Sequence, residues 1–358
     1  MKSTPDHVDV TALGVHVRLR FADGVSAEQR AAVAHAWQGA AVTGGQPETE
    51  IEVKASESLA PFLEGLSSRV TLSAINQRRE QLVMFHAAGI AMPDGRTLAF
   101  VGPSGRGKTT LSAALGRHYG YVSDETVGID DTLVVHAHRK PLSVITTQGQ
   151  PKQQVPPADA GLLDVPDGPL RLAGLILIDR ASEPVAASIE QVPLTDALAG
   201  LVSEVSYLGM RPQAIQRLAR FCTATGGVKR IHYSDAEDAA ALVPQLLLAA
   251  EPEAWKPALD ADLEAEWATA GEFAIHSDVL DAITVGARLV ALVNDRLLVL
   301  DGIAPAIWRA VRQGADRAGI VTEVVSEHGP PADGEPEELV ASVLEEMISL
   351  TLLRSRCS

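Results

Sequence analysis

Cysteine and long apolar runs are nearly missing from this chain, and both absences restrict what it can be. Cys222 and Cys357 are the only cysteines among 358 residues, too few for a disulfide framework or a cysteine zinc site. No apolar run is long enough to span a bilayer, and residues 1–6 lack the apolar core of a signal peptide. We therefore expect a protein of the reducing cytoplasm that has no membrane partner.

Positive charge is also scarce. The chain has 30 Lys and Arg against 46 Asp and Glu, and its formal net charge is -16. This charge opposes binding to nucleic acid or to an anionic membrane, so we expect neither as a main partner. The composition, 46% hydrophobic and 21% charged, is that of a folded globular protein, and the length suits two or three domains.

The most informative motif is GPSGRGKTT at residues 102–110, which matches the phosphate-binding P-loop pattern G-x-x-x-x-G-K-[ST]. Residues 97–101 are typical of a buried strand and residues 108–117 of a helix, so the expected strand, loop and helix are all present. Backbone N–H groups and the helix dipole would then hold phosphates. The predicted nucleotide-binding residues are Gly102, Ser104, Gly105, Arg106, Gly107, Lys108, Thr109 and Thr110.

Within this loop the chemistry divides between two side chains. Lys108 would neutralise the β- and γ-phosphates of ATP, and the Thr109 hydroxyl would ligate Mg²⁺. ATP and Mg²⁺ are therefore the expected cofactors. Lys152 and Arg139 flank a loop that can cover a nucleotide, although surface solubility explains these two cations equally well.

Candidate acid and base residues lie on either side of the motif. Asp124 and Glu125 follow a predicted strand at 121–123, where one carboxylate can hold Mg²⁺ and the other can accept a proton from an attacking hydroxyl. The alternative is that they are two surface acids in a turn. His86 follows an apolar strand at 82–85, and a hairpin through 82–101 would carry it over the phosphates; a lone histidine is otherwise more often structural.

These elements, in this order and spacing, resemble the catalytic core of HPr serine kinases and their relatives, which include kinases linked to modified-peptide pathways. HPr serine kinases are similar in fold to phosphoenolpyruvate carboxykinase. The resemblance covers residues 70–250 and is sharpest over 82–131. It implies that Lys108 and Thr109 bind nucleotide and magnesium, that Asp124 accepts the proton, and that Glu125 lies on the magnesium side. His86 takes the family's histidine position. The catalytic residues would be Asp124, His86 and Lys108.

Two departures from that family stand out. Glu125 replaces an acid that is usually Asp, and the sequence contains no downstream Glu-x-Arg-Gly loop. HPr itself is therefore not the expected substrate. Because HPr kinases assemble as hexamers, the resemblance also admits a homo-oligomer.

Composition and periodicity divide the chain into four parts. Residues 1–68 predict a small β-rich N-terminal region, and residues 69–250 the P-loop domain. In and next to that domain, the sequence also predicts helices over 68–80 and 194–224, strands over 132–137 and 172–179, and an exposed loop over 151–169. Residues 251–271 are acidic, rich in Ala and punctuated by Pro, which is typical of a linker. Residues 272–358 predict a pair of strands at 288–293 and 296–300, followed by three helices, the pattern of a winged helix. The helices are expected over 303–313, over 320–327 and from Pro336, which suits a first helical position. The expected fold class is therefore α/β, with a P-loop core, a small β-rich N-terminal lead-in and a winged-helix-like C-terminal domain.

The C-terminal pattern resembles the PqqD-like fold, a peptide-recognition element of pathways for ribosomally made, post-translationally modified peptides (RiPPs). The resemblance rests on residues 294–301, on 304–308 with Trp308, and on Gly314. It implies a precursor leader peptide as partner, bound by strand addition beside a helix. The seven Lys and Arg against fourteen Asp and Glu in 272–358 argue against a DNA-binding winged helix. A structural or dimerising domain is the other alternative.

Three functions remain open. The first is an ATP-dependent kinase of RiPP biosynthesis that binds a leader peptide and phosphorylates its Ser or Thr, aided by tethering. The second is a non-catalytic accessory protein that presents the precursor to separate maturation enzymes. The third is a kinase for a free small molecule such as serine.

Overall fold

The computed structural model describes residues 6–145, 149–259 and 271–356. It has a mixed α/β architecture that divides into two compact units. Unit 1 comprises Met1–Val192, Ser203–Tyr207 and Ala224–Ala250, and unit 2 comprises Pro193–Val202, Leu208–Thr223 and Glu251–Ser358. The predicted linker falls partly on residues 260–270, which lie outside the described residues. In the described part of the chain, no helix combines the length and the apolar character needed to cross a membrane.

The strands of unit 1 are β1 (His7–Ala12), β2 (Val15–Phe21), β3 (Thr49–Val53), β4 (Val83–Ala91), β5 (Arg96–Val101), β6 (Gly120–Ser123), β7 (Thr126–Ile129), β8 (Val135–His136), β9 (Leu142–Val144), β10 (Gln153–Val155), β11 (Arg171–Arg180), β12 (Ser188–Val192), β13 (Val205–Ser206) and β14 (Val228–Tyr233). Its helices are α1 (Ala27–Ala36), α2 (Leu59–Arg78), α3 (Lys108–Leu115), α6 (Ala236–Ala241) and α7 (Val243–Leu246).

The strands of unit 2 are β15 (Trp255–Pro257), β16 (Phe273–Ile275), β17 (Val279–Val285), β18 (Arg288–Val293), β19 (Arg296–Leu300) and β20 (Leu353–Ser355). Its helices are α4 (Leu194–Val202), α5 (Ala214–Ala224), α8 (Ala304–Arg312), α9 (Arg317–His328) and α10 (Pro336–Ser349).

The N-terminal part of unit 1 is a three-stranded sheet in the order β1-β2-β3, with α1 and α2 packed against it. Alternating apolar residues of β2 are buried on one face, as a half-buried strand requires. Helix α1 begins with a capping box in which Ser26 and Gln29 satisfy each other's backbone N–H groups. The second helix, α2, begins at Leu59, which is earlier than the helix expected over 68–80.

A nine-stranded mixed sheet forms the centre of unit 1 and positions the site. Its main path runs β12-β14-β11-β5-β4-β7-β8, with β6 and β13 paired to β4. Strands β5, β11 and β14 are parallel neighbours, whereas β4 is antiparallel to β5. The predicted hairpin over 82–101 is therefore confirmed. The predicted apolar strand at 172–179 is also confirmed as β11, which is buried along most of its length.

Several predicted elements differ in extent. The helix expected over 194–224 is interrupted by β13 and a single 3₁₀ turn, because Tyr207 and Gln213 adopt left-handed backbone conformations with φ of 58° and 53°. The strand expected over 132–137 shrinks to β8. The exposed loop expected over 151–169 contains β10 and the buried Leu162.

Unit 2 combines a four-stranded antiparallel sheet, β15-β17-β18-β19, with a two-stranded sheet, β16-β20. Helices α8, α9 and α10 lie where the sequence predicts helices, and α10 begins at Pro336 as expected. Trp308 is buried in the core, and its indole N–H donates to the Ala258 carbonyl at 3.0 Å. The predicted strand pair is thus the outer half of a larger sheet.

The compact units do not follow the predicted division near residue 251. Residues 193–202 and 208–223, expected in the P-loop domain, belong to unit 2 together with β15. The buried Asp281 carboxylate gives a physical reason, because it accepts hydrogen bonds from the Gln216 backbone N–H at 2.9 Å and from its side-chain amide at 2.7 Å. Helix α5 and strand β17 are thereby joined within one unit.

Candidate functional site

The P-loop connects β5 to α3 with the backbone geometry that its glycines allow. Gly105 and Gly107 have positive φ values of 81° and 84°, which side-chain-bearing residues rarely adopt. Gly102 lies so close to β11 that a Cβ atom there would be 2.4 Å from Ile178 Cγ1. The motif glycines thus permit both the turn and its close packing on the sheet.

Lys108 is buried at the start of α3, and its ammonium group turns back toward its own loop. Nζ donates to the carbonyl of Gly102 at 2.5 Å and to that of Pro103 at 3.0 Å. Burial lowers the pKa of Lys108, and the nearby acids Glu204, Glu125 and Asp124 partly oppose that shift. The ammonium is thus held at the centre of the loop, where bound phosphates would replace the two carbonyls as its partners.

Asp124 lies directly beneath Thr109, at the turn between β6 and β7. The Thr109 hydroxyl donates to Asp124 Oδ2 at 3.1 Å, and the Tyr121 hydroxyl donates to Oδ1 at 3.0 Å. Lys140 Nζ is 3.0 Å from the same Oδ1 and 3.4 Å from Glu125 Oε2. Both carboxylate oxygens of Asp124 are therefore engaged.

The electrostatics of this cluster keep Asp124 ionised. Burial raises its pKa, but the Lys140 ammonium and the hydrogen bonds from Tyr121 and Thr109 outweigh burial, so the pKa of Asp124 is lowered. Burial lowers the pKa of Lys140, and the two acids it faces more than compensate, so that pKa is raised. The cluster is a buried ion pair with satisfied hydrogen bonds.

Glu125 differs from its neighbour in exposure. Its side chain is 42% exposed, whereas that of Asp124 is 1% exposed. Ser123 fixes the turn, because its hydroxyl oxygen accepts from the backbone N–H groups of Glu125 and Thr126 at 3.2 and 3.0 Å. The turn therefore presents one buried and one accessible carboxylate.

His86 lies on β4, on the other side of Lys108. Its Nδ1 atom is 3.4 Å from Lys108 Nζ and 3.3 Å from Glu204 Oε2. Burial and the Lys108 charge lower the pKa of His86, and Glu204 partly opposes them. The histidine is therefore mainly neutral at neutral pH, in contact with the group that would neutralise the phosphates.

A cleft of about 800 Å³ collects most of the predicted site residues; it is called the phosphate cleft below. The predicted residues that line it are His86, Ser104, Gly105, Gly107, Lys108, Thr109, Thr110, Asp124 and Glu125. Gly102 contributes only its carbonyl to Lys108, and Arg106 lines a neighbouring cleft instead. The expected group is thus largely assembled in one place.

Sequence reasoning misses Lys140, Glu204 and Arg180, all of which contact or line this region. None of them belongs to a motif, and Glu204 is 118 residues from His86 along the chain. Of the two flanking cations, Lys152 lines the phosphate cleft, whereas Arg139 donates to the Gly39 carbonyl at 2.8 Å and to Asp164. Arg139 is thus mainly structural.

The oxygen donors present suit a magnesium ion carried by a nucleotide. Thr109 Oγ1 and Asp124 Oδ2 lie within hydrogen-bond distance of each other, and both are hard oxygen ligands. Among the residues that the structure describes, no group of three His, Cys, Asp or Glu side chains forms a cage for a metal ion. Mg²⁺ usually takes phosphate oxygens and water as its other ligands.

Comparison with known proteins adds little to this geometry. No protein-family profile and no curated protein matches the chain. Among solved structures, the chain is similar to the HPr(Ser) kinase/phosphatase from Coxiella burnetii, with 15% identity and a TM-score of 0.23 over 46% of this chain and 93% of the other. A similarity at this level carries no argument about function. Function therefore has to be inferred from the contacts within the chain.

Proposed function

We propose that unit 1 binds a magnesium nucleoside triphosphate and transfers its γ-phosphoryl group to a hydroxyl. The observation that carries the proposal is the Thr109–Asp124 hydrogen bond of 3.1 Å beneath a P-loop whose lysine is buried at the loop centre. In P-loop enzymes a hydroxyl and an acid in these positions hold Mg²⁺ beside the nucleotide phosphates, and Thr109 and Asp124 would do so here. Magnesium supplies charge neutralisation of the phosphates when bound.

In the transfer step the bond between the γ-phosphorus and the β,γ-bridging oxygen breaks, and a bond to the acceptor hydroxyl oxygen forms. The bridging electron pair leaves with the nucleoside diphosphate, and the hydroxyl proton passes to a carboxylate. Lys108 exchanges the Gly102 and Pro103 carbonyls for phosphate oxygens. His86, next to Lys108, is placed to hydrogen-bond the transferred group.

The contacts favour an exchange of the two carboxylate roles expected from the sequence. Asp124 is buried, lies against Thr109 and has a lowered pKa, which suits a metal-side acid. Glu125 is the accessible carboxylate of the pair, and a general base must reach the incoming hydroxyl. We therefore assign proton acceptance to Glu125 and metal binding to Asp124 with Thr109.

The test is MgATP binding by calorimetry together with phosphoryl transfer by mass spectrometry, using Lys108→Ala, Asp124→Asn and Glu125→Gln. We expect Lys108→Ala to lose both MgATP binding and phosphoryl transfer. Asp124→Asn should weaken the binding of MgATP much more than the binding of metal-free ATP. Glu125→Gln should keep binding and lose about 10²–10⁴-fold in transfer rate. If Asp124→Asn binds MgATP normally and loses only transfer, the roles expected from the sequence are the right ones.

The acceptor we propose is a Ser or Thr of a RiPP precursor peptide captured by unit 2. Strand β19 lies at one edge of the four-stranded sheet, and Val299 on it is 45% exposed. An edge strand with exposed apolar side chains can pair with an extended peptide. Incubation of the co-encoded precursor with MgATP should give a phosphoryl mass gain, and Val299→Pro should abolish peptide capture without affecting MgATP binding.

A second candidate is a nucleotide-binding accessory protein that presents the precursor to other maturation enzymes. The observation that favours it is the full engagement of Asp124, which leaves Glu125 as the only unburied acid of the pair. In that case Lys108→Ala leaves peptide presentation intact, and no phosphorylated product forms with wild-type protein.

A further inference from the structure

A second cleft of about 790 Å³ opens beside the P-loop; it is called the side cleft below. Gly105 and Arg106 form its P-loop wall, and residues that come after β11 and β14 form the others. We propose that the side cleft binds the ribonucleoside part of a nucleoside triphosphate, with Arg180 on the phosphates and Asp238 on the ribose hydroxyls. This inference rests on the proposed function, because it assumes phosphates in the P-loop.

The two clefts are continuous. Gly105, Arg180, Ser234 and Asp235 line both the phosphate cleft and the side cleft. A ligand whose phosphates lie at Lys108 can therefore extend into the side cleft without a break. The volume of the side cleft is in the range of small-molecule sites in proteins.

Arg180 lies at the junction of the clefts, at the end of β11. Its guanidinium packs on the loop backbone, since a Cβ atom at Gly107 would be 2.6 Å from Arg180 Nη1. Among the described residues the Arg180 guanidinium makes no side-chain hydrogen bond and no ion pair, and the residue is half-buried. A half-buried guanidinium without an acidic partner, held against a P-loop, is suited to bind phosphate oxygens.

The walls of the side cleft are fixed by hydrogen bonds. The Ser234 hydroxyl donates to the Val185 carbonyl at 3.2 Å and accepts from the Val185 N–H at 3.0 Å. The Ala181 N–H donates to the Tyr233 carbonyl at 2.8 Å, which extends the pairing of β11 and β14. Pro184 and Val185 give this wall an apolar surface suited to a base.

Two acids, Asp235 and Asp238, line the side cleft, and they differ in their hydrogen-bond partners. Asp235 caps helix α6 by accepting from the Glu237 N–H at 2.8 Å. Asp238 is exposed and has no hydrogen-bond or ion-pair partner within the part of the chain that the structure describes. A carboxylate that accepts ribose hydroxyls is a recurrent feature of nucleotide sites. The side cleft thus offers a cation near the P-loop and a carboxylate beyond it, which matches the polarity of a ribonucleotide.

The experiment is calorimetric titration of the full chain with ATP, 2′,3′-dideoxy-ATP and tripolyphosphate, each with Mg²⁺. The variants are Asp238→Ala and Arg180→Gln, and the matched controls are the exposed Asp23→Ala and Arg79→Gln. We expect wild type to prefer ATP to the dideoxy analogue by about tenfold, as for one charged hydrogen bond. Asp238→Ala should remove that preference and leave tripolyphosphate binding unchanged, whereas Arg180→Gln should weaken all three ligands by about tenfold.

The outcomes separate this inference from the proposed function. Equal binding of ATP, its dideoxy analogue and tripolyphosphate, all lost in Lys108→Ala, would overturn the side cleft as the nucleoside site and leave the P-loop proposal standing. Unchanged ATP binding in Arg180→Gln would overturn the role of Arg180. Failure of wild type to bind any of the three ligands would overturn both the inference and the proposed function.

Discussion

Lys140 is a buried lysine that is central to the phosphate cleft, although it belongs to no sequence motif. Its ammonium group lies between Asp124 and Glu125, at 3.0 and 3.4 Å, and also donates to Ser143 Oγ at 3.3 Å. A buried ion pair contributes little net stability, but removal of one partner leaves the other charge without compensation. Lys140 is therefore a positioning residue for the acid pair.

Lys140→Met should lower the free energy of unfolding by about 3–5 kcal/mol, because Asp124 is left buried and unpaired. The double variant Lys140→Met with Asp124→Asn should recover a large part of that loss, since the uncompensated charge is gone. Urea unfolding of the two variants and wild type measures both effects. If the double variant is no more stable than Lys140→Met alone, the ion pair is not the cause.

The burial of His138 makes the stability of the folded protein depend on pH. It is fully buried, its Nε2 is 2.9 Å from Thr71 Oγ1, and burial with the Lys140 charge lowers its pKa to about 3. The unfolded chain binds this proton near a pH of about 6.5, so unfolding takes up a proton between that pH and a pH of about 3. The stability that neutral His138 contributes is thus fully present above the unfolded pKa and is lost as the pH falls.

His138→Gln should be less acid-sensitive than wild type, by at most about 1.4 kcal/mol per pH unit below a pH of about 6.5. Thermal unfolding of both proteins at pH values of about 7, 6 and 5 gives the comparison. We expect the difference in Tm between wild type and the variant to become smaller each time the pH is lowered. A gap that stays constant would show that His138 does not titrate in this way.

The strand–loop–helix element β5, P-loop and α3 depends on close backbone approach. A Cβ atom at Gly102 would meet Ile178 Cγ1 at 2.4 Å and Cδ1 at 3.0 Å, so a methyl group there must displace either the loop or the Ile178 side chain on β11. By contrast, Gly65 lies within α2, is exposed, and has nothing within 4 Å of the equivalent position. We therefore expect opposite effects on stability when each of these two glycines is replaced by alanine.

Gly102→Ala should destabilise the protein by about 1–3 kcal/mol through overpacking. Gly65→Ala should stabilise it by about 0.5–1 kcal/mol, because Ala is the better residue in a helix interior. Thermal unfolding should therefore give Tm shifts of opposite sign. A Tm for Gly102→Ala equal to or above wild type would contradict the close packing of the loop on β11.

Elements set by local pattern are predictable from the sequence, and those set by distant contacts are not. The β4–β5 hairpin and the P-loop are encoded by turn residues and an apolar run that adjoin in sequence. The break between α4 and α5 depends on left-handed backbone at Tyr207 and Gln213, residues that do not signal a turn. Glu204 and Lys140 reach the site only through tertiary pairing, which leaves no local trace.

The segments of the two units alternate along the sequence. The chain leaves unit 1 after Val192, returns at Ser203, leaves again after Tyr207 and returns at Ala224, before its final passage into unit 2 at Glu251. Helices α4 and α5 therefore complete a unit whose other elements lie after residue 250. Arg288 Nη1 donates to Thr195 Oγ1 at 3.3 Å, and Glu253 accepts from the Leu194 N–H at 2.5 Å.

A fragment of residues 251–358 should consequently fold less well than the same residues in the full chain. It lacks Gln216, so the buried Asp281 loses two hydrogen bonds, at a cost of about 1–3 kcal/mol for a buried group left unsatisfied. Hydrogen exchange should be faster in β17 of the fragment, and Gln216→Ala in the full chain should reproduce part of that increase. Equal protection in fragment and full chain would show that α4 and α5 are dispensable.

The same alternation determines where Glu204 lies along the chain. Residues Ser203–Tyr207 are a short bridge whose two ends continue directly into segments of unit 2, while β13 within it pairs with β4. Glu204 on this bridge is 3.3 Å from His86. The carboxylate that faces the histidine thus belongs to a five-residue segment that the covalent chain joins, at both ends, to segments of unit 2.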